Sequence, residues 1–310
     1  MAERTAAPPA PFPRHGRVGG RGGRGGRGGR SGRRVSGRRL AVRAVILLLL
    51  LAGAAVVVLP FVYMLATSLE TNAQIGQLTP QFVPSPFVWD NYTQVWQTSR
   101  VGQFFVNSLV VAVLTTVGQL LTASLAAYAF ARLRFPGRSL LFAAYLATLI
   151  IPFQVTLIPN YILIRLLGWH NTYQGLVAPF VSSVFSTFLL RQFFLTIPVD
   201  LEEAAVLDGA GHLTIYARII MPLARPAVAA LVIFAFLNSW NNFLWPLVVV
   251  DSESLKTLPL GIAEFEGQFT VQWNLLMAGA ALSLVPVLIV YLIAQRWIVQ
   301  GIALTGQGGR

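Results

Sequence analysis

Ala44-Val45-Ile46-Leu47-Leu48-Leu49-Leu50-Leu51-Ala52-Gly53-Ala54-Ala55-Val56-Val57-Val58-Leu59-Pro60-Phe61-Val62-Tyr63-Met64-Leu65-Ala66 is a run of 23 residues without a charged side chain. A helix needs about 20 apolar residues to cross a hydrocarbon layer ~30 Å thick, so this run has the length of a membrane span. It is too long for a signal-peptide core, and no small-residue cleavage site closes a short core, which predicts an uncleaved span. Similar stretches recur at about residues 104–130, 140–162, 175–195, 226–250 and 275–295. The expected fold is therefore all-α: a polytopic membrane protein with six transmembrane helices. Composition agrees, with 55% hydrophobic and 11% charged residues where soluble chains carry roughly 25% charged.

The chain divides unevenly outside these spans. Residues 1–43 hold twelve of the 23 basic residues and one acid, Glu3, and repeat Arg-Gly-Gly from Arg21 to Gly29. Such a stretch has almost no apolar surface to bury and is expected to be a disordered cytoplasmic tail. It has no interleaved aromatics for stacking on bases, so an anchor beside anionic headgroups explains it better than nucleic-acid binding. Residues 44–297 form the expected permeation domain, and 298–310 a short cytoplasmic C-terminal tail. Twenty of the 23 basic residues fall on the side of the tail; Arg100, Arg165 and Lys256 fall on the other. The positive-inside bias then places both termini in the cytoplasm, as an even number of spans requires. Segment 196–225 would be cytoplasmic, and residues 69–103 and 251–274 external. Asp251, Glu253, Glu264 and Glu266 would then form a solvated external face.

The composition weighs against several chemistries. The chain has no cysteine, hence no disulfide, thiolate metal site or cysteine nucleophile, and His15, His170 and His212 do not have metal-ligand spacing. No expected span contains Asp or Glu, which an ion-coupled secondary transporter needs, and no histidine lies in a span to serve an intramembrane enzyme.

The internal loop 198–222 opens Pro198-Val199-Asp200-Leu201-Glu202-Glu203-Ala204-Ala205-Val206-Leu207-Asp208-Gly209-Ala210 and closes Ile219-Ile220-Met221-Pro222. Asp200 is a suitable N-cap, and Glu203 three residues later can reach back to it in a capping box. Gly209 can take the left-handed conformation that ends a helix. The spacing predicts helix, turn, helix along the membrane, with a second helix ending at Pro222. Small residues at Ala204, Ala205, Gly209 and Ala210 would admit close approach of a partner.

This stretch resembles the signature of permease subunits of binding-protein-dependent ABC importers, in which Glu-Ala-Ala precedes a Gly and, after a fixed gap, Ile and Leu-Pro. Glu203, Ala204, Ala205, Gly209, Ile219 and Pro222 fall in register, with Asp208 and Ala210 flanking the glycine; Met221 replaces the leucine with similar volume. Further stretches resemble the maltose-type carbohydrate-uptake branch: Asn107-Ser108-Leu109, Ile151-Pro152-Phe153-Gln154, Ile158-Pro159-Asn160-Tyr161, Asn171-Thr172 and Phe188–Phe194. The Arg-rich tail is not part of that pattern. The resemblance implies a coupling helix between the fourth and fifth spans that docks into a cytoplasmic ATPase, with Glu203 and Gly209 central to coupling. It further implies two ATPase subunits, a second homologous permease, an external sugar-binding protein, and a multi-pass location in the cell membrane. The chain lacks a phosphate-binding loop, so ATP and Mg²⁺ belong to the partner ATPase and the chain is a transport subunit, not an enzyme. The alternatives are an importer of a non-sugar solute and, against the lack of acids in the spans, an ion-coupled secondary transporter.

Asn238-Ser239-Trp240-Asn241-Asn242-Phe243-Leu244-Trp245-Pro246 places three amides in the expected fifth span. Asn238, Asn241 and Asn242 can line a solute path, where amides pair with sugar hydroxyls and the face of Trp240 packs on a sugar ring. Alternatively they form interhelical hydrogen bonds. Gln119 and Gln154 are weaker candidates of the same kind.

Overall fold

A computed structural model describes residues 37–77, 82–97, 100–265 and 271–305. The expected tail up to residue 36 and residues 306–310 lie outside them. By internal contacts the chain separates into residues 1–54 and 55–310. The described part of the first unit is helical, and its apolar side chains from Val42 to Leu51 are exposed. Among the described residues the architecture is helical, without a strand. This is what lipid demands, since a helix satisfies its own backbone groups.

Helix α1 (Gly37–Thr67) starts before the expected span and includes residues assigned to the tail. From Ala44 to Leu59 its side chains are apolar on all sides and exposed, the pattern of a helix solvated by hydrocarbon. A short helix, α2 (Asp90–Gln97), precedes α3 (Val101–Arg132). At 32 residues α3 extends about 48 Å. Then come α4 (Arg138–Ala147), α5 (Phe153–Leu166), α6 (Tyr173–Val177) and α7 (Val184–Thr196). The loop helices are α8 (Asp200–Leu207) and α9 (His212–Ile215), followed by α10 (Arg225–Trp240), α11 (Leu244–Val249), α12 (Leu258–Ala263) and α13 (Trp273–Thr305). The last helix runs beyond residue 297, into the segment expected to be a tail.

Helix α3 is the hub and packs against α7, α10 and α12. Its Ala123, Ala127 and Ala131, four residues apart, form one face of a core with Leu190, Phe194, Ile215, Ile220 and Leu231. Small residues at that spacing let helix backbones approach closely where lipid supplies no hydrophobic drive. Toward the other end, Phe104 and Ala112 pack with Trp240, Leu258 and Leu275.

Three of the six expected spans are unbroken only in part. Among the described residues three helices are long and apolar enough to cross alone, and up to six if each bent pair counts as one span. The expected third span bends by 99° between residues 150 and 153, because Pro152 lacks an N–H and holds Ile151 in an extended conformation (ψ 111°). The fourth bends by 46° between Phe180 and Val184, where the Ser183 hydroxyl accepts from the Ser186 N–H and caps α7. In the fifth, α10 stops at Trp240 and α11 begins at Leu244. Here Pro246 is the cause, since its ring would clash with the carbonyl of Asn242 in a continuous helix. The 80° bend before Arg225 is where the 212–223 segment turns into α10.

Candidate translocation cavity and coupling loop

The three helix breaks converge. Between them lies a cavity of about 980 Å³ walled by α3, the ends around Phe153 and Phe180, and the segment from Phe234 to Leu244. Its polar lining includes Thr115, Gln119, Gln154, Asn238, Asn241 and Asn242, and its aromatic lining Phe153, Phe180, Phe185, Phe234 and Phe243. No side chain in this lining is ionisable.

The amides have different duties. Asn238 and Asn241 are exposed, and their side chains make no hydrogen bond to another helix of this chain among the described residues. Asn242 Oδ1 accepts from the Trp245 N–H at 3.3 Å and so caps α11. Gln154 is exposed as well. Gln119 is committed to the protein: its Nε2 donates to the Phe180 carbonyl at 2.8 Å and its Oε1 accepts from the Ser186 hydroxyl at 3.2 Å. It holds the α6–α7 break in place, aided by the Thr122 hydroxyl donating to the Val181 carbonyl at 2.6 Å.

Trp240 is not at the cavity. It is buried, stacks on Phe236 at 5.7 Å, meets Phe105 edge-on at 5.5 Å, and donates from Nε1 to the Ser283 carbonyl at 3.1 Å. On a helix, position 240 points away from the face of 238 and 241, so the expected packing on a sugar ring gives way to a core contact. Trp245 is likewise buried, with Nε1 donating to the Gly175 carbonyl at 2.9 Å and rings of Phe153 and Phe180 around it. Sequence reading missed Thr115, whose buried hydroxyl has no partner, and the phenylalanines. They come from separate elements, and only the fold brings them together.

The loop forms helix, turn and helix as expected, with one change at its start. Val199, not Asp200, occupies the N-cap, in a helical conformation and without a side-chain cap. The Glu202 and Glu203 N–H groups both donate to the Val199 carbonyl, so the capping box of Asp200 with Glu203 is not formed. Asp200, Glu202 and Glu203 instead crowd the first turn, where negative charge suits the helix dipole. At the other end Gly209 has φ +83°. Its N–H donates to the Val206 carbonyl and that of Ala210 to the Ala205 carbonyl, each at 2.9 Å, the pairing of a Schellman stop. The second arm is irregular: α9 passes through a π-helical turn, Tyr216–Ile220, to Met221–Leu223.

The small residues divide by face. Glu203, Ala204, Asp208 and Gly209 are exposed, whereas Ala205 and Ala210 pack inward on the core and Pro222 is half-buried. Beside the exposed set stand bare apolar side chains, Leu207 at 88% and Leu213 at 77% exposure. The acids of the 251–265 segment are paired: Asp251 with His170 at 3.5 Å, Glu253 with Arg100 at 3.8 Å, and Glu264 with Lys256. Glu266 lies outside the described residues.

The family model for the binding-protein-dependent transport system inner membrane component matches residues 119–304. The sn-glycerol-3-phosphate transport system permease protein UgpE of Yersinia pestis bv. Antiqua (strain Antiqua) is 35% identical over 264 residues, 82% of this chain and 94% of that protein. UgpE of Brucella abortus (strain 2308) is 34% identical, covering 83% and 95%. Among solved structures, a chain of a bacterial ABC transporter involved in import of the acidic polysaccharide alginate superposes with TM-score 0.74 at 24% identity, covering 84% of this chain and 97% of that one. That likeness establishes a shared fold.

Proposed function

The chain belongs to the family of binding-protein-dependent transport system inner membrane components, and from that premise we infer that it is the permease half of an ATP-driven importer for a neutral carbohydrate. The observation carrying the solute class is the cavity wall. It offers unbonded amides at Asn238 and Asn241, an amide at Gln154, five phenylalanine rings and no ionisable group. Amides exchange hydrogen bonds with sugar hydroxyls at little desolvation cost, and aromatic rings take the apolar faces of sugar rings. A phosphate or uronate would meet no counter-charge on this wall, and desolvating an unpaired anion is costly. The UgpE relatives are named for an anionic solute, so an importer for such a solute is the second reading.

In this account both termini are cytoplasmic and the protein is a multi-pass component of the cell membrane. Loop 200–222 docks into one of two cytoplasmic ATPase subunits, which bind the ATP and Mg²⁺, through Glu203, Ala204, Asp208 and Gly209 with Leu207 and Leu213. Ala205, Ala210 and Pro222 hold the loop against the spans. ATP-driven closure of the ATPase pair draws this loop and that of a second, homologous permease together. The cavity then opens outward to a sugar-binding protein.

Two tests follow from the two halves of the reading. Disrupting the gene in its host should abolish uptake of one neutral labelled sugar from a panel that also holds sn-glycerol-3-phosphate and alginate oligomers; loss of an anionic solute alone would overturn the solute class. Gly209→Val should abolish that uptake while membrane insertion persists. The added side chain has open space around it, but φ +83° costs an L-residue about 1–2 kcal/mol. Gly209→Asn, which tolerates that conformation, should retain more activity. Equal uptake by parent and Gly209→Val would remove the coupling assignment.

A further inference from the structure

Arg132 stands in the last turn of α3 with its guanidinium facing the end of α7 and the start of α8. Its Nη2 donates to the Phe194 carbonyl at 2.7 Å and to the Ile197 carbonyl at 2.6 Å, where α7 ends and the chain turns toward α8. Its Nε lies 2.7 Å from Glu202 Oε1 in the first turn of α8, and the two side chains are only 7% and 13% exposed. The Nε–H is directed off the line to that oxygen, so the contact is a Coulombic pair shielded from solvent. The two arms of the loop are anchored differently. The second arm is rooted in the core by Ile215 and Ile220, and its Tyr216 hydroxyl is 2.7 Å from the Ser124 hydroxyl of α3. Helix α8 has no buried residue; only Glu202 and Ala205 are half-buried on it. An alanine methyl holds the helix weakly, whereas pulling a shielded ion pair apart leaves an uncompensated buried charge, and here the arginine of the pair also clamps the end of α7.

We propose that the Arg132–Glu202 pair is the link through which movement of α8 reaches the spanning helices α3 and α7. Both residues are positioning residues. The proposal rests on the reading that the loop docks an ATPase, and adds that force enters the spans on the first arm through this pair.

The chain contains no cysteine, so Ser182→Cys, at the cavity rim, gives this chain a single thiol. The full complex is purified from its host through a tag on this chain and placed in lipid nanodiscs. A maleimide then reports the labelling rate with and without ATP plus vanadate. In the parent complex nucleotide should change that rate. Glu202→Gln, nearly isosteric, should keep assembly and ATP hydrolysis but shrink the nucleotide response roughly fivefold or more, the span of a typical coupling free energy. Glu202→Asp, which keeps the negative charge opposite Arg132, should restore part of it. An undiminished response in Glu202→Gln overturns the proposal, as does a parallel fall of response and hydrolysis, or loss of assembly in that variant. Failure of the parent to carry an ATPase, or to respond to nucleotide, overturns the docking reading itself.

Discussion

Glu70 shows how much a single side chain can set. It follows α1 directly, is buried, and its Oε1 has no hydrogen-bond partner. The backbone around it is fixed by Asn91, whose Nδ2 donates to the Ser68 and Glu70 carbonyls at 2.9 and 2.8 Å and whose Oδ1 accepts from Asn274 Nδ2 at 2.9 Å. Burial pushes the Glu70 carboxyl above its ordinary 4.5, since an unpaired carboxylate is poorly solvated there. The folded chain thus holds this proton more tightly than the unfolded one. Its stabilising contribution is fully present below pH 4.5 and is lost as pH rises through the raised value. Glu70→Gln should flatten that part of the pH profile, read as the melting temperature of detergent-solubilised protein from pH 4 to 8. A profile with the parent's slope would show that Glu70 ionises freely.

At the scale of elements, the end of α10 places a packed side chain and a cavity-lining one within three residues. Trp240→Ala removes a stacked ring, an edge contact and a hydrogen bond, and should cost about 3–5 kcal/mol of stability. Asn238→Ala removes an exposed amide without a partner in the fold, so stability should change by less than about 0.5 kcal/mol while solute uptake falls. Thermal melts together with uptake assays decide this; the opposite pattern would put Trp240 in the path and Asn238 in the packing. The same stretch shows where sequence reading stops. Three apolar crossings, up to six if each bent pair is one span, and a Gly209 helix stop are legible because each depends on local composition or on one backbone conformation. The interruption after Trp240 was also written in the sequence, in Pro246, but its signal acts four residues upstream and is easily read as part of a continuous span. The N-terminal cap was misplaced by one residue because Val199 is already helical, which no side-chain preference announces. That Gln119 serves the fold while Asn238 and Asn241 open to the cavity depends on which helix stands opposite, and no spacing within one helix carries that information.

At the scale of the whole molecule, the account requires α8 and α9 on the cytoplasmic face and the paired charges of residues 251–264 on the other. Because the chain has no cysteine of its own, single substitutions map this directly. A thiol at Leu207, 88% exposed, should react with an impermeant maleimide only after the cytoplasmic side is opened. One at Asp251, whose side chain is 75% exposed, should react in intact cells; the reverse would invert the topology and remove the loop from any cytoplasmic ATPase. The central claim, that this chain works as the membrane half of an ATP-driven importer, is tested most directly by what it is bound to. The tagged chain, gently solubilised from its own host and analysed by mass spectrometry, should bring with it an ATPase bearing a phosphate-binding loop and a second, related permease. Recovery of the chain alone or with copies of itself, with no ATPase even after crosslinking, would contradict the account.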